Sequence, residues 1–432
     1  MLFGGVMLWS MLRFLAKGWV DILYVQPSFH FTYFGFDWVQ VLPAWAMYGL
    51  FGLLALSAAC IMLGWRYRLF SWVFFLGFTY VELIDKTTYL NHYYFVSLVS
   101  FILCFLPAHR YFSLDVRRDS SLLQTEMPRW MLLILQGQLA MVYFFAGIAK
   151  LHYDWLVRGM PMAIWLPPLA DMPIIGPIFR YSYTALAFSW IGCLYDLTIP
   201  FWLWWKKTRP LAYVAVVVFH VMTWLLFNIG MFPWIMILAT LVFFSPAWHE
   251  KRLAQLGRLF SYTLPQSGTA RPKATSRWLA YMFAGFFCLQ LVLPFRYLAY
   301  PGELFWHEQG FRFSWRVMLM EKVGSAFFTI TEPHTGREWE PTNASYLTPL
   351  QEKMMATQPD MILQYAHYLG EEFKKQGVKD PEVRAKVYVS LNGRRSKLFI
   401  DPEVDLYQEK ESFRAKSWVL PFANPSSDIA HD

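Results

Sequence analysis

"ELIDKTTYLNHYYF", residues 82–95, interrupts a stretch that otherwise reads as bilayer material. "SWVFFLGFTYV" precedes it and "VSLVSFILCFL" follows, yet Glu82, Asp85, Lys86, Asn91 and His92 fall within eleven residues. A charged side chain at the centre of a membrane helix costs about 3 kcal/mol even on the most lenient scale. A polar hairpin set between two apolar runs is therefore a place where chemistry is expected. The same stretch bears on the fold class, because its flanks read as membrane-spanning helices on either side of a polar turn.

The rest of the chain agrees. Its 432 residues are 56% hydrophobic, 19% aromatic and only 16% charged. Soluble domains carry about 25% charged residues. The apolar excess lies almost wholly before residue 300. "MLFGGVMLWSMLRFLAKGW" lacks the basic start and small-residue cleavage site of a signal peptide, so it reads as a first, short span. Cys60, Cys104, Cys193 and Cys288 all sit in apolar runs, which gives no disulfide framework. The net charge of +8 points to positive-inside loops rather than to nucleic acid.

Apolar runs at 3–19, 43–63, 70–85, 92–107, 131–149, 182–204, 211–227, 231–246 and 278–297 predict about nine transmembrane helices. The loops between them alternate in charge. One set holds Arg66 and Arg68; Arg110, Arg117, Arg118 and Arg129; Lys206, Lys207 and Arg209; and the basic run from Lys251 to Arg277. The other set is 20–42, without Lys or Arg, then 86–91, 150–181 and "NIGMFP". The positive-inside rule puts the first set, and the N-terminus, in the cytoplasm. The hairpin, the 150–181 loop and the tail then share the extracytoplasmic side, periplasmic in a bacterial inner membrane.

The chain divides into a membrane domain, 1–297, and a small α+β extracytoplasmic domain, 298–432. Within the tail, "FRFSWRVMLM" and "SAFFTIT" read as strands, and "KVYVSLNGRRSKLFID" as a hairpin turning at Asn392-Gly393. Met354, Met355, Ile362, Tyr365, Leu369 and Phe373 follow helical spacing, interrupted at Pro359. "PQSGTARPKATS" reads as a flexible cytoplasmic linker and "NPSSDIAHD" as a frayed end.

No metal-binding spacing, phosphate loop or nucleophile elbow occurs. The chemistry must come from polar groups at membrane depth. Besides the hairpin these are Lys150, closing "YFFAGIAK", with His152 and Asp154 after it, and His220 and Asn228 in "FHVMTWLLFNIGMFPWIM". A terminal lysine often snorkels to the headgroups, and a lone intramembrane histidine often bonds a nearby carbonyl. Yet His92 opens a span and Lys150 closes one on the same side, so the two can face one pocket. A lysine acts as a base only when neutral, and desolvation favours the neutral form. A neutral amine beside lipid suits the deprotonation of a lipophilic acid such as a quinol.

The chain resembles the vitamin K-dependent gamma-glutamyl carboxylases and their bacterial relatives of the HTTM group. The resemblance runs from about residue 20 to about 330. It rests on "FHFTYFGFDW", which contains His30, "LGWRYR", "LIDKTTYLNHYY", "GQLAMVYFFAGIAKLHYDW", "FHVMTWLLFNIGMFPWIM" and "LFWHEQGFRFSW". It implies that Asn91 and His92 are required for activity and that Lys150 is the base activating vitamin K hydroquinone. In the family, oxygenation of the quinol yields a strong base that ends as the epoxide. That base takes a γ-proton from a peptide glutamate, and CO2 adds to the carbanion. The resemblance also implies that Trp306, Phe311, Ser314 and Trp315 hold the glutamate. Two departures stand out: Tyr297 replaces a histidine of the animal members, and the extramembrane domain is far shorter than theirs.

The expected activity is thus a quinol-dependent gamma-glutamyl carboxylase. Its cofactor is vitamin K hydroquinone or a menaquinol, with O2 and CO2 as co-substrates and no metal. Its partners are a glutamate-containing peptide or protein and the lipid bilayer, with no nucleic acid; the sequence sets no oligomeric state. The alternatives are a quinol epoxidase without carboxylation and a non-catalytic quinone- or lipid-binding membrane protein. Asp85, Lys86, His220, Asn228 and His30 are further candidates near the site.

Overall fold

The computed structural model describes residues 1–227, 229–259 and 277–422. Every apolar run of the sequence is a helix, or in two cases a helix and its short extension. The principal ones are α1 (Leu2–Ala16), α2 (Ala44–Leu63), α3 (Tyr67–Ile84) and α4 (Asn91–Phe105). They are followed by α5 (Arg129–Ala149), α6 (Ser182–Trp204), α7 (Arg209–Leu226) and α8 (Phe232–Ala239). The amphipathic α9 (Pro246–Leu259) and the apolar α10 (Arg277–Val292) complete the set. Among the described residues six helical segments are long and apolar enough to cross a membrane. A seventh crossing requires the segment Phe232–Phe243, which α9 leaves at 117°, and α1 and α4 are shorter apolar helices.

Lipid supplies no hydrophobic drive between helices, so close approach of small residues matters. Gly147 shows it best. A Cβ there would lie 2.8 Å from the backbone nitrogen of Leu197, so α5 and α6 touch along their main chains. This contact decides where Lys150, one residue beyond α5, and Asp196, in α6, end up.

The tail forms an antiparallel sheet of β1 (Lys322–Glu332), β2 (Arg337–Trp339), β3 (Glu382–Leu391) and β4 (Lys397–Leu398), ordered β2-β1-β3-β4. Ile330 pairs with Val383. Ala326, Phe328 and Ile330 alternate inward, as do Val383, Ala385, Val387 and Val389. They pack on α12 (Pro359–Lys375), which follows the short α11 (Pro349–Met355). Pro359 opens α12 at its first turn, where its missing N–H costs nothing, so the expected interruption is a boundary between two helices. The hairpin at Asn392-Gly393 forms as expected, with Asn392 at φ 50°. The linker at 265–276 and the terminal "NPSSDIAHD" lie outside the described residues.

One expectation fails. "FRFSWRVMLM", 311–320, is a succession of turns and not a strand. Phe313, Trp315 and Met318 take φ of 61°, 56° and 52°, the left-handed region that aromatic and long side chains avoid at a cost of about 1–3 kcal/mol each. The backbone finds partners outside a sheet: Phe313 N–H donates to the Tyr89 hydroxyl at 2.8 Å, and the Arg316 carbonyl accepts from Asn91 Nδ2 at 2.8 Å. Trp315 is fully buried and stacks on Tyr94 at 4.9 Å, within the core of the helical domain. The segment is thereby pulled onto the membrane helices.

Further polar contacts, some of them ion pairs, fasten the tail to the hairpin and to the 150–181 loop. Lys86 Nζ and Arg312 Nη1 both reach Asp360 Oδ2, at 2.8 and 2.7 Å. Asp85 accepts from Gln351 Nε2 at 3.1 Å. Asp154 accepts from Arg394 at 2.6 and 2.7 Å and from Asn392 Nδ2 at 2.8 Å. Burial lowers the Lys86 ammonium's pKa from its ordinary value, with Asp360 opposing. Burial alone would raise Asp360, but Arg312 and Lys86 hold it well below the usual carboxylate range.

Candidate active site

Helical spacing aims four faces at one cavity. Val142, Tyr143, Ala146 and Lys150 continue one face of α5; Phe188, Gly192 and Asp196 share one face of α6. Phe219, His220, Thr223 and Phe227 come from α7 and its end, Phe232 and Met236 from α8. Trp155 and Met162 of the 150–181 loop close one side, and Val317 and Met318 of the strained segment cover it. The cavity measures about 100 Å³. Its walls are almost entirely apolar and aromatic, with a few polar groups among them, the kind of lining that small-molecule sites have.

Those polar atoms are specific. Lys150 Nζ lies 2.6 Å from Asp196 Oδ2 and 3.2 Å from the Ala146 carbonyl, with the Trp155 ring centroid at 5.3 Å. Both side chains of the ion pair are under a tenth exposed. Two acceptors leave one N–H of a Lys150 ammonium for a ligand. Trp155 is fixed in turn by its own N–H, which donates to the Ser189 carbonyl at 2.7 Å.

His220 Nδ1 lies 2.8 Å from the Val216 carbonyl, as the structural reading of a lone intramembrane histidine expects. A carbonyl can only accept, so Nδ1 carries the hydrogen, and in the neutral ring Nε2 is left as an acceptor. That Nε2 is buried and has no partner among the described residues. A ligand hydroxyl is the natural group to meet it.

The other candidates fall into three places. His92 is buried with its ring 4.5 Å from Tyr93 and 5.9 Å from Phe232, while His220 lies 5.6 Å from the same Phe232. Phe232 lines the cavity with His220 and Lys150 and also meets His92, which is not itself in the lining. Asn91 fixes the covering segment through its bond to the Arg316 carbonyl. Asp85 and Lys86 are spent on the tail, and His30 sits beside Asp85, its protonation disfavoured by burial. Asn228 lies outside the described residues.

The aromatic segment is also taken up in packing. Trp306 is buried in the core of the tail and donates to the Leu420 carbonyl at 2.8 Å. Ser314 Oγ donates to the Gly310 carbonyl at 2.8 Å. Phe311 meets Phe305 edge-on at 6.2 Å, and the Arg316 guanidinium lies 4.5 Å over the Tyr297 ring. His152, its ring 4.7 Å from Phe305, has its pKa lowered to about 4 by burial, with Arg316 and Lys150 adding to the effect against Asp154.

Sequence reasoning missed Asp196. A signal existed: it is the sole charged residue in the 23-residue span "SYTALAFSWIGCLYDLTIPFWLW", and an intramembrane carboxylate asks for a partner. Phe232, Met318 and Tyr143 carry no comparable mark, because aromatic and methionine side chains in apolar helices are most often core.

The HTTM domain model matches residues 1–248, and the vitamin K-dependent gamma-carboxylase lumenal domain model matches residues 275–425. The chain belongs to the vitamin K-dependent gamma-carboxylase family. It is a helical membrane protein with an extracytoplasmic domain. Family membership implies vitamin K as cofactor and a glutamate-containing protein as substrate. No solved structure matches the chain. The carboxylase-family cofactor, a flat aromatic ring bearing two hydroxyls, suits aromatic walls with an ion pair and an unpartnered imidazole nitrogen, so these residues fit it.

Proposed function

We propose that the chain is a quinol-dependent gamma-glutamyl carboxylase that binds vitamin K hydroquinone or a menaquinol in the cavity beneath Val317 and Met318. The observation that carries the reading is the buried Lys150, which ends an otherwise apolar wall with one hydrogen-bonding position to spare. The bound quinol supplies, through its reaction with O2, the strong base that no side chain could provide. The Lys150–Asp196 pair takes up a hydroxyl proton, and Lys150 keeps a positive charge next to the site. His220 Nε2 would accept a hydrogen bond from a hydroxyl and so orient the ring. His92 and Asn91 act one layer away, His92 by backing Phe232 and Asn91 by holding the covering segment closed against water. Trp306, Phe311, Ser314, Trp315 and Tyr297 shape the segment against which a peptide glutamate is presented for CO2 addition.

A second reading has an observation in its favour. Trp306, Ser314 and Trp315 are each at most 2% exposed and none of them lines the cavity, which suits a quinol epoxidase that does not carboxylate. Purified protein supplied with a naphthohydroquinone and O2 should form the epoxide under either reading. A protein that binds the quinol without converting it is a carrier, and the enzyme assignment then falls.

We read nine crossings, with 1–297 as the membrane domain and 298–432 outside, the N-terminus facing the cytoplasm of a bacterial inner membrane. The Lys/Arg asymmetry supports this orientation. The hairpin cannot report it, since Lys86 and Thr87 are buried against the tail. Ile174 is 96% exposed in the 150–181 loop and serves instead. In a background carrying Cys288→Ser, Ile174→Cys should react with an impermeant maleimide on intact cells, and Lys206→Cys only after lysis. Reversed labelling overturns the orientation.

A further inference from the structure

The structure assigns Asp196 a role that the base reading leaves vacant: we propose that its carboxylate is the group that holds the proton taken from the quinol, while Lys150 remains an ammonium. The proposal rests on the functional reading above. Burial was expected to render Lys150 a neutral amine, but an ammonium in contact with a carboxylate needs no such neutralisation. Lys150 Nζ is 2.6 Å from Asp196 Oδ2 and also donates to the Ala146 carbonyl, and the Trp155 ring lies over it. Each of these neighbours favours the charged nitrogen, the carbonyl as acceptor and the ring as a cation–π partner. An ammonium has no lone pair with which to accept.

Two other groups that line the cavity can take a proton. His220 Nε2 is one, but among the described residues its ring packs on Tyr143, Tyr195, Phe219 and Phe232 and pairs with no carboxylate that would stabilise an imidazolium. The other is the Asp196 carboxylate, the only acid in its helix. Its close approach is built in by Gly147, where the main chain of α5 meets the backbone nitrogen of Leu197 in α6.

The step balances. An O–H bond of the quinol breaks and an O–H bond forms on Asp196. Lys150 either stands by or passes one proton on as it receives another, and the products are the same. The negative charge leaves the carboxylate and appears on the bound oxygen, where the Lys150 ammonium faces it. The site stays neutral throughout, so nothing need enter from water for the proton to move. That is what a closed, apolar cavity requires.

The test uses the full-length protein in detergent or nanodiscs, with a naphthohydroquinone under strict exclusion of oxygen so that nothing follows the proton step. Difference infrared spectra of the wild type should show a new protonated-carboxyl C=O band as the quinol binds, and Asp196→Asn should lack it. In air, epoxide formation by Asp196→Asn should fall at least about 100-fold, and Asp196→Glu should recover part of that loss and a shifted carboxyl band. Size-exclusion profile and melting temperature establish that the variants are folded. Should Asp196→Asn not fold, the wild-type and Asp196→Glu bands decide: their absence, with quinol bound, overturns the proposal. Asp196→Asn at wild-type rate overturns it as well and leaves Lys150 as an independent base. A wild-type protein that neither binds nor converts the quinol fails the functional reading itself, and this proposal with it.

Discussion

Lys150→Ala should abolish quinol epoxidation, with a loss of about 10²- to 10⁴-fold, the range set by a positioned proton-transfer group. Its structural cost should also be visible. Removing one partner of a buried ion pair leaves the other uncompensated, typically at about 3–5 kcal/mol. The single variant should therefore melt earlier as well as being inactive, which on its own would confuse chemistry with folding. Lys150→Met combined with Asp196→Leu removes both charges and fills the space, an exchange that is commonly neutral or stabilising. The double variant should recover the melting temperature and remain inactive. In Lys150→Ala a small primary amine should restore part of the epoxidation rate by occupying the vacated space beside Asp196. Substantial epoxide formation by the folded double variant would remove Lys150 and Asp196 from the mechanism together.

Arg394→Ala should loosen the tail from the membrane domain. Arg394 meets both oxygens of Asp154, and its side chain is only 8% exposed. Its loss leaves Asp154 with Arg158 at 3.2 Å and Asn392 at 2.8 Å, so the destabilisation should fall near the low end, about 3 kcal/mol. Arg394→Lys should recover less than half, because an ammonium cannot make both bonds in parallel. A pH series gives an independent sign. Burial would raise the Asp154 carboxyl, but the hydrogen bonds from Arg394 and Asn392 and the charges of Arg394 and Arg158 hold it at about 2. A carboxyl depressed below its unfolded value of about 3.9 contributes stability above that value and loses it as pH falls towards about 2. Wild type should thus lose more melting temperature than Arg394→Ala between pH 5 and pH 2. Equal losses would mean the pair contributes nothing. Because a Cβ on Gly393 would lie only 3.6 Å from Ile164, two residues from the cavity-lining Met162, the hairpin sits close to the cavity wall and the variant should also lower epoxidation.

Much of this architecture can be read in the sequence where a single physical rule dominates. Long apolar runs become helices because lipid allows nothing else, and the inward alternation of Ala326, Phe328 and Ile330 marks β1. Lys150 and His220 stand out for the same reason, as polar groups where such groups are costly. The segment 311–320 misleads because its alternation is real, but its backbone is paired with Tyr89 and Asn91, which lie more than two hundred residues away. The partnership of Lys150 with Asp196 is likewise invisible along the chain, since it depends on the closeness of α5 and α6 at Gly147. Asp85 and Lys86 advertise a site at the hairpin; their polarity serves instead to seat Gln351 and Asp360. No hairpin residue lines the cavity; His92 comes nearest to it, through Phe232.

The most direct measurement of the central claim follows two products in one reaction. Purified protein is given a naphthohydroquinone, O2, labelled bicarbonate and a glutamate-containing peptide, and epoxide and fixed label are both quantified. The account predicts oxygen-dependent epoxide with label incorporated into the peptide, both absent from Lys150→Met/Asp196→Leu. Epoxide without label would leave the epoxidase reading alone standing. Label fixed in the absence of epoxide, or both products undiminished in the double variant, would contradict the account.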